Sequence, residues 1–177
     1  LFDFKGLVAF YDPPKANIKL VFDTFYNAGI QVKIVTGDNA TTTSTIAKQI
    51  GFRNPDNTLN GDELMKMDDA TLKSKVMGTT IFTRMFPEAK LRIIQALKEN
   101  NQIVAMTGDG VNDGPALKSA HIGIAMGKKG TEIAKQAANL ILIEDDLSKM
   151  IDAIAIGRKI YINLKKAIQY IISIHIP

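Results

Sequence analysis

The chain predicts an α/β fold: a mostly parallel, doubly wound sheet with helices on both faces, followed by one long C-terminal helix. Three observations carry this. Short apolar runs alternate with segments of helical periodicity almost throughout, and such alternation implies right-handed βαβ crossovers. Two of the apolar runs, 31–36 and 102–106, lead into the same tripeptide, Thr-Gly-Asp. The composition, 46% hydrophobic and 23% charged over 177 residues, is that of one ordinary domain able to bury a full core.

The first expected strand is GLVAFYD, residues 6–12, which stops at Asp12-Pro13-Pro14. The prolines open a helix over 15–28, since proline suits the first helical turn. Ile18, Val21, Phe22 and Phe25 share one of its faces, and Gly29 ends it. The second strand is 31–36. A helix over 39–50 is capped by Asp38 or Asn39 and stopped by Gly51. Residues 52–78 are less regular, with an NPDN turn and then short helical pieces in GDELMKMDDATLKSKV. Ile81-Phe82-Thr83 is a short strand. Residues 87–100 form a helix, with Pro87 at its start and Leu91, Ile94 and Leu97 at helical spacing. Strand 102–106 follows, then a short helix closed by Lys118, strand 122–126, helix 131–137 and a last strand, 139–143.

From Leu147 a long helix runs to the C-terminus. Ile154, Tyr161, Leu164, Ile168 and Ile171 make one apolar stripe, flanked by Arg158, Lys159, Lys165 and Lys166. The expected division is therefore 1–146 and 147–177. The terminal apolar run, AIQYIISIHIP, is shorter than the roughly 20 residues that span a bilayer. The opening LFDFKG carries no initiator Met and no signal pattern, and reads as the interior of a longer chain.

Composition also narrows function. The net charge is +4 and the basic residues are dispersed without interleaved aromatics, which gives nucleic-acid binding little support. The absence of cysteine removes disulfides and thiolate metal sites. His121 and His175 lack partners at metal-ligand spacing and read as structural.

The most informative string is TGDGVNDGPALKSAHIGIAMG, residues 107–127. Asp109 and Asp113 sit four apart in a glycine-rich turn after a buried strand, with Asn112 beside the second. Mg²⁺ takes oxygen ligands and is held by one or two carboxylates plus phosphate and water. The turn supplies that number, and Gly108 and Gly110 permit tight backbone geometry. As isolated carboxylates, the two would be a helix cap and a turn acid. The pattern GxGxxxG over Gly108, Gly110 and Gly114 is a loose relative of the dinucleotide fingerprint. Two carboxylates inside the loop, however, would repel a pyrophosphate.

Thr36-Gly37-Asp38 ends the neighbouring strand. A hydroxyl and a following N–H at a strand end make a phosphate clamp, though such tripeptides mostly cap helices. Its recurrence at Thr107-Gly108-Asp109 points to two neighbouring loops facing one ligand. Lys90, early in the helix opened by Pro87, lies where it can neutralise a phosphate. Most helix lysines are merely solvated, and from residue type and position alone that reading leads.

Taken together, DPP, TGDN, TRMFPEAK, TGDGVNDGPAL, IGIAMG and GRKIYINLKKAIQYIIS resemble, in this order, the P-type cation-transporting ATPases. These are pumps of the haloacid dehalogenase-like superfamily that phosphorylate themselves on an aspartate. The resemblance is closest to Ca²⁺-type and related bacterial pumps. It implies a haloacid dehalogenase-like Rossmannoid domain with a stalk helix leading into a truncated transmembrane helix. It also implies Thr36 and Gly37 on the phosphoryl group, Lys90 beside it, and Asp109 as Mg²⁺ ligand. Asp113 would be a further ligand and catalytic residue, and Asn112 would support the site. Asp12, Asp38 and Arg84 would contact ATP.

The phosphorylated DKTGT string does not occur, and Gly114 stands where the family places Ala or Ser. The implied protein is a portion of an ATP-driven cation pump, membrane-bound with this segment on the cytoplasmic side. Alone it is expected to be inactive. Its implied partners are the transported cation, the membrane, and nucleotide-binding and actuator domains of the same pump. Self-association through the C-terminal helix is also expected. A soluble phosphatase of the superfamily and a non-catalytic module with the same fold are the alternatives.

Overall fold

The computed structural model describes residues 3–6, 8 and 13–175. The expected strand over 6–12 and the candidate residue Asp12 lie largely or wholly outside them. Helix α1 (Ile18–Asn27) buries Val21, Phe22 and Phe25, as the apolar spacing requires. Strand β1 (Ile34–Val35) is shorter than the expected run. Helix α2 (Ala40–Gln49) is capped by Asn39, whose side chain accepts from the Thr42 N–H at 2.9 Å; this decides between the two cap residues. Gly29 and Gly51, after α1 and α2, have φ +75° and +67°, the left-handed form that closes a helix.

The less regular stretch contains a strand that the sequence pattern does not reveal, β2 (Thr58–Asn60). Two short helices follow it, α3 (Gly61–Lys66) and α4 (Asp69–Gly78). Strand β3 (Ile81–Thr83) and helix α5 (Pro87–Glu99) lie where expected. Strand β4 (Ala105–Gly108) is displaced toward the site relative to 102–106. A 3-10 turn, Val111–Asp113, leads into α6 (Gly114–Ser119). Then come β5 (Ile122–Met126), α7 (Glu132–Ala137), β6 (Leu140–Leu142) and α8 (Ser148–His175).

Among the described residues all strand pairs are parallel, in two three-stranded sheets ordered β1-β3-β2 and β4-β5-β6. The α/β class and parallel pairing agree with expectation. The division into two sheets does not follow from the sequence, because strand order is a non-local property. Strand β3 is buried on both sides: Phe82 joins a core with α4 and α5, and Ile81 joins a core with α1 and α2. Leu147, Met150, Ile151 and Ile154 dock the start of α8 on that second core. Arg158 adds a 2.8 Å bond to the Ala28 carbonyl. Beyond it the helix stands free, with Tyr161 and Tyr170 each 68% exposed. Among the described residues no helix is long and apolar enough to cross a membrane.

Candidate functional site

The site forms between the carboxyl ends of β1 and β4. Parallel strands point their carboxyl ends the same way, and the turns that follow them gather at one edge. Thr36 and Gly37 follow β1, and Gly108 ends β4 with Asp109 next. Helix α5 enters beside them with Lys90 in its first turns. A cleft of about 310 Å³ is lined by Thr36, Gly37, Lys90, Thr107, Asp109 and Asp113, with Val35, Met106 and Met126 on its apolar side. Residues separated by more than seventy positions in sequence therefore share one surface.

Local bonds hold each turn. The Thr36 hydroxyl accepts from the Asp38 N–H at 3.1 Å and donates to its carboxylate at 3.2 Å. The Met85 N–H donates to the Thr36 carbonyl and the Arg84 N–H to the Asp38 carbonyl, both at 2.9 Å. The loop after β3 is thus stitched to the loop after β1.

The Asp113 carboxylate is the organising group. It does not cap α6, as an isolated acid at a helix start would. Instead Oδ1 receives Lys90 Nζ at 2.6 Å, with the two side chains only 15% and 11% exposed. Oδ2 accepts from the N–H groups of Asp109 and Gly110 at 3.3 and 3.2 Å. Gly108 makes this possible: a Cβ there would lie 2.6 Å from the Asp113 Cβ, closer than carbon atoms approach. Gly110, by contrast, adopts an ordinary φ of −96°.

A carboxylate offers about four acceptor positions, and Asp113 has three engaged. Asp109 is exposed, and among the described residues no hydrogen bond reaches its carboxylate. The donor set therefore fits one directly coordinating carboxylate, Asp109, with Asp113 aligning Lys90 and the turn. Among the described residues no three acidic or histidine side chains converge.

Asp38, Arg84 and Asn112 do not line the cleft, and all three are exposed. Arg84 holds a φ of +51°. His121 accepts from the Val104 N–H through Nδ1 at 3.1 Å, and His175 bonds the Ile171 carbonyl; both serve the fold. Thr107 and Met126 line the cleft without being among the expected site residues. The repeated tripeptide is the available signal for Thr107. Nothing local marks Met126.

A family model described as haloacid dehalogenase-like hydrolase matches residues 2–121. A calcium-transporting ATPase type 2C member 2 of Mus musculus is 43% identical over 171 residues, 96% of this chain and 18% of the relative. Calcium-transporting ATPase 1 of Lactococcus lactis subsp. lactis is 43% identical over 169 residues, 95% of this chain and 19% of the relative. An endoplasmic reticulum-type calcium-transporting ATPase of Arabidopsis thaliana is 42% identical, over 98% of this chain and 17% of the relative. The chain spans less than a fifth of the length of each of these relatives.

Among solved structures, a zinc-transporting PIB-type ATPase superposes with a TM-score of 0.67 at 27% identity, covering 87% of this chain and 21% of that one. The catalytic domain of a CPx-ATPase superposes at 0.59 and 28% identity, covering 78% of this chain and 45% of that one. With a matching model over residues 2–121 and parallel strands that converge on an aspartate-rich turn, the chain belongs to the haloacid dehalogenase-like hydrolase family.

Proposed function

We propose that this chain is the phosphoryl-handling portion of an ATP-driven cation pump that passes through an aspartyl phosphate. The observation that carries the reading is the cleft itself. It gathers a hydroxyl and N–H pair, an ammonium and a carboxylate at the carboxyl edge of a parallel sheet. That is the set phosphoryl transfer needs. The relatives' names, all calcium-transporting ATPases, support Ca²⁺ as the transported ion.

The cleft also lies where the strand pairing of the described residues is open. Among the described residues β1 pairs only with β3, and β4 only with β5. Among the described residues each therefore has one edge without a partner strand, and both strands contribute to the cleft lining. A further strand supplied by another part of the polypeptide would bridge the edges, with neighbours about 4.8 Å away on each side. Its carboxyl end would deliver an aspartate between Thr36 and Asp109.

In the proposed reaction an oxygen of that aspartate attacks the γ-phosphorus of ATP in line. The new O–P bond forms as the bond to the bridging oxygen breaks, and ADP leaves with the electron pair. Thr36 Oγ1 and the Gly37 N–H would donate to the equatorial oxygens. Lys90 would offset their charge, held in place by Asp113. Asp109 would hold Mg²⁺, which when bound supplies further neutralisation of phosphoryl charge. Water would later hydrolyse the acyl phosphate. Helix α8 would carry domain movement toward a membrane portion, with this domain on the cytoplasmic side and nucleotide-binding and actuator domains as neighbours.

The test is Asp109→Asn in the full-length protein. The substitution keeps the shape of an exposed side chain and removes the charge. Phosphoenzyme formed from γ-labelled ATP and Ca²⁺ uptake into sealed vesicles should both fall to background with expression unchanged. Wild-type phosphoenzyme levels in the variant would refute the site. Normal phosphoenzyme chemistry without Ca²⁺ uptake in the wild type would refute only the ion.

A further inference from the structure

We infer that Asp145 is a positioning residue that ties the loop beside the phosphate site to the start of α8. The loop is Gly127–Gly130, the GKKG that follows β5. One end of it is bound to the site: the Thr131 N–H donates to the Asp109 carbonyl at 2.8 Å. Any displacement of the Asp109 backbone is therefore felt at Thr131. The middle of the loop is bound to Asp145. The Lys128 N–H donates to Oδ1 at 3.0 Å and the Lys129 N–H to Oδ2 at 2.9 Å. Both carboxylate oxygens thus hold successive amides of one loop, and such a two-point grip fixes orientation as well as position.

Asp145 is itself held. It is 8% exposed, its carbonyl accepts from Lys15 Nζ near α1, and its N–H donates to the Leu142 carbonyl at 3.1 Å. Its φ is +55°, a left-handed backbone disfavoured for side chains other than Asn and Asp. An aspartate in that conformation, with both oxygens bonded to a loop sixteen residues away, is placed for its side chain rather than for its turn. The next residue completes the path. The Asp146 carboxylate accepts from the Ser148 N–H at 2.9 Å and the Ser148 hydroxyl at 2.7 Å, capping α8 at its first turn. Movement thus has a continuous route: Asp109 backbone, Thr131, the Lys128–Lys129 amides, Asp145, Asp146 and α8. The route deepens the proposed function, in which α8 carries the site's movement onward, and rests on that reading for its purpose.

The substitution Asp145→Gly separates the tether from the turn. Glycine suits φ +55° better than aspartate, so the backbone conformation is favoured while both loop bonds vanish. Hydrogen exchange on the 177-residue chain reads the result. In the variant, the Lys128 and Lys129 amides should exchange about tenfold faster or more, as expected for losing bonds to a charged acceptor. The first turn of α8 should follow, while α4 and α5 stay at wild-type rates.

Addition of Mg²⁺ with inorganic phosphate should slow exchange over 107–113 in both proteins. It should slow exchange in the first turn of α8 only in the wild type. Unchanged Lys128 and Lys129 exchange in the variant overturns the tether. So does an α8 response to Mg²⁺ and phosphate that survives the substitution, or an increase spread evenly over all elements. Absence of any Mg²⁺ and phosphate response over 107–113 in the wild type overturns the phosphate-site reading instead, and the ligand-free exchange rates still decide the tether. Asp145→Asn keeps one acceptor oxygen and should fall between the two.

Discussion

Asp113→Ala removes an acceptor that three donors share. Lys90 Nζ lies 2.6 Å from Oδ1, and two backbone N–H groups lie 3.3 and 3.2 Å from Oδ2. With side chains only 15% and 11% exposed, water replaces little of what is lost. A hydrogen bond to a charged partner contributes about 1.5–3 kcal/mol, and an ordinary one about 1. The two backbone contacts are long, so together they count as roughly one ordinary bond.

The expected loss is therefore about 2.5–4 kcal/mol. At roughly 2–4 °C per kcal/mol for a chain of this size, the thermal midpoint falls by about 5–16 °C. Asp113→Asn keeps one acceptor oxygen and should lose about half as much. Lys90→Met should lose less than Asp113→Ala, because the carboxylate keeps its two backbone donors. Urea unfolding of the 177-residue chain followed by circular dichroism measures each variant. A double-mutant cycle over Lys90 and Asp113 should give a coupling above about 1 kcal/mol. An Asp113→Ala variant within about 1 kcal/mol of wild type, or a coupling near zero, would mean that the pair does not form in solution. Lys90 would then be positioned by something else.

Acid should unfold the chain through a small set of carboxylates. The Ser148 N–H and hydroxyl hold the Asp146 carboxyl below its usual range, and Thr71 does the same for Asp68. For Asp145 burial pushes upward, but bonds from the loop amides outweigh it and the net direction is down. With the folded pKa below the unfolded value of about 3.9, the unfolded chain binds more protons between the two. This stability is therefore fully present above about pH 4 and is lost as pH falls through the folded values. In urea unfolding across that window, Asp146→Asn should show lower stability at neutral pH and a shallower acid slope; a slope equal to wild type refutes the cap. The free half of α8 exposes Tyr170 at 68% and Ile174 at 60%. The full chain should accordingly self-associate in sedimentation, and a chain ending at Lys166 should be monomeric with its core intact. Two monomers, or a truncated chain that no longer folds, would contradict this.

What the sequence determined on its own is what short-range physics controls. Pro87 opens α5, Gly29 and Gly51 stop helices, and Ile81–Thr83 and Ile122–Met126 read directly as buried strands. Each depends on a residue's own backbone preference or on spacing within a few positions. The chemistry of the 107–113 turn was legible for the same reason: its carboxylates, amide and glycines lie within seven residues.

Other features needed the tertiary structure. Strand β2 has no local signature because TLN is short and polar at both ends, and only pairing with β3 makes it a strand. Among the described residues the strands fall into two sheets, an order that no local pattern reveals because pairing partners are chosen across the chain, not along it. The meeting of Thr36 with Asp109, the turning of Asp113 from helix cap to Lys90 partner, and the grip of Asp145 on Lys128 and Lys129 likewise lie outside local pattern. Those arrangements bring together residues sixteen to more than seventy positions apart. Their energy depends on distances that only the packed core sets, since any one of these side chains would be equally at home in solvent.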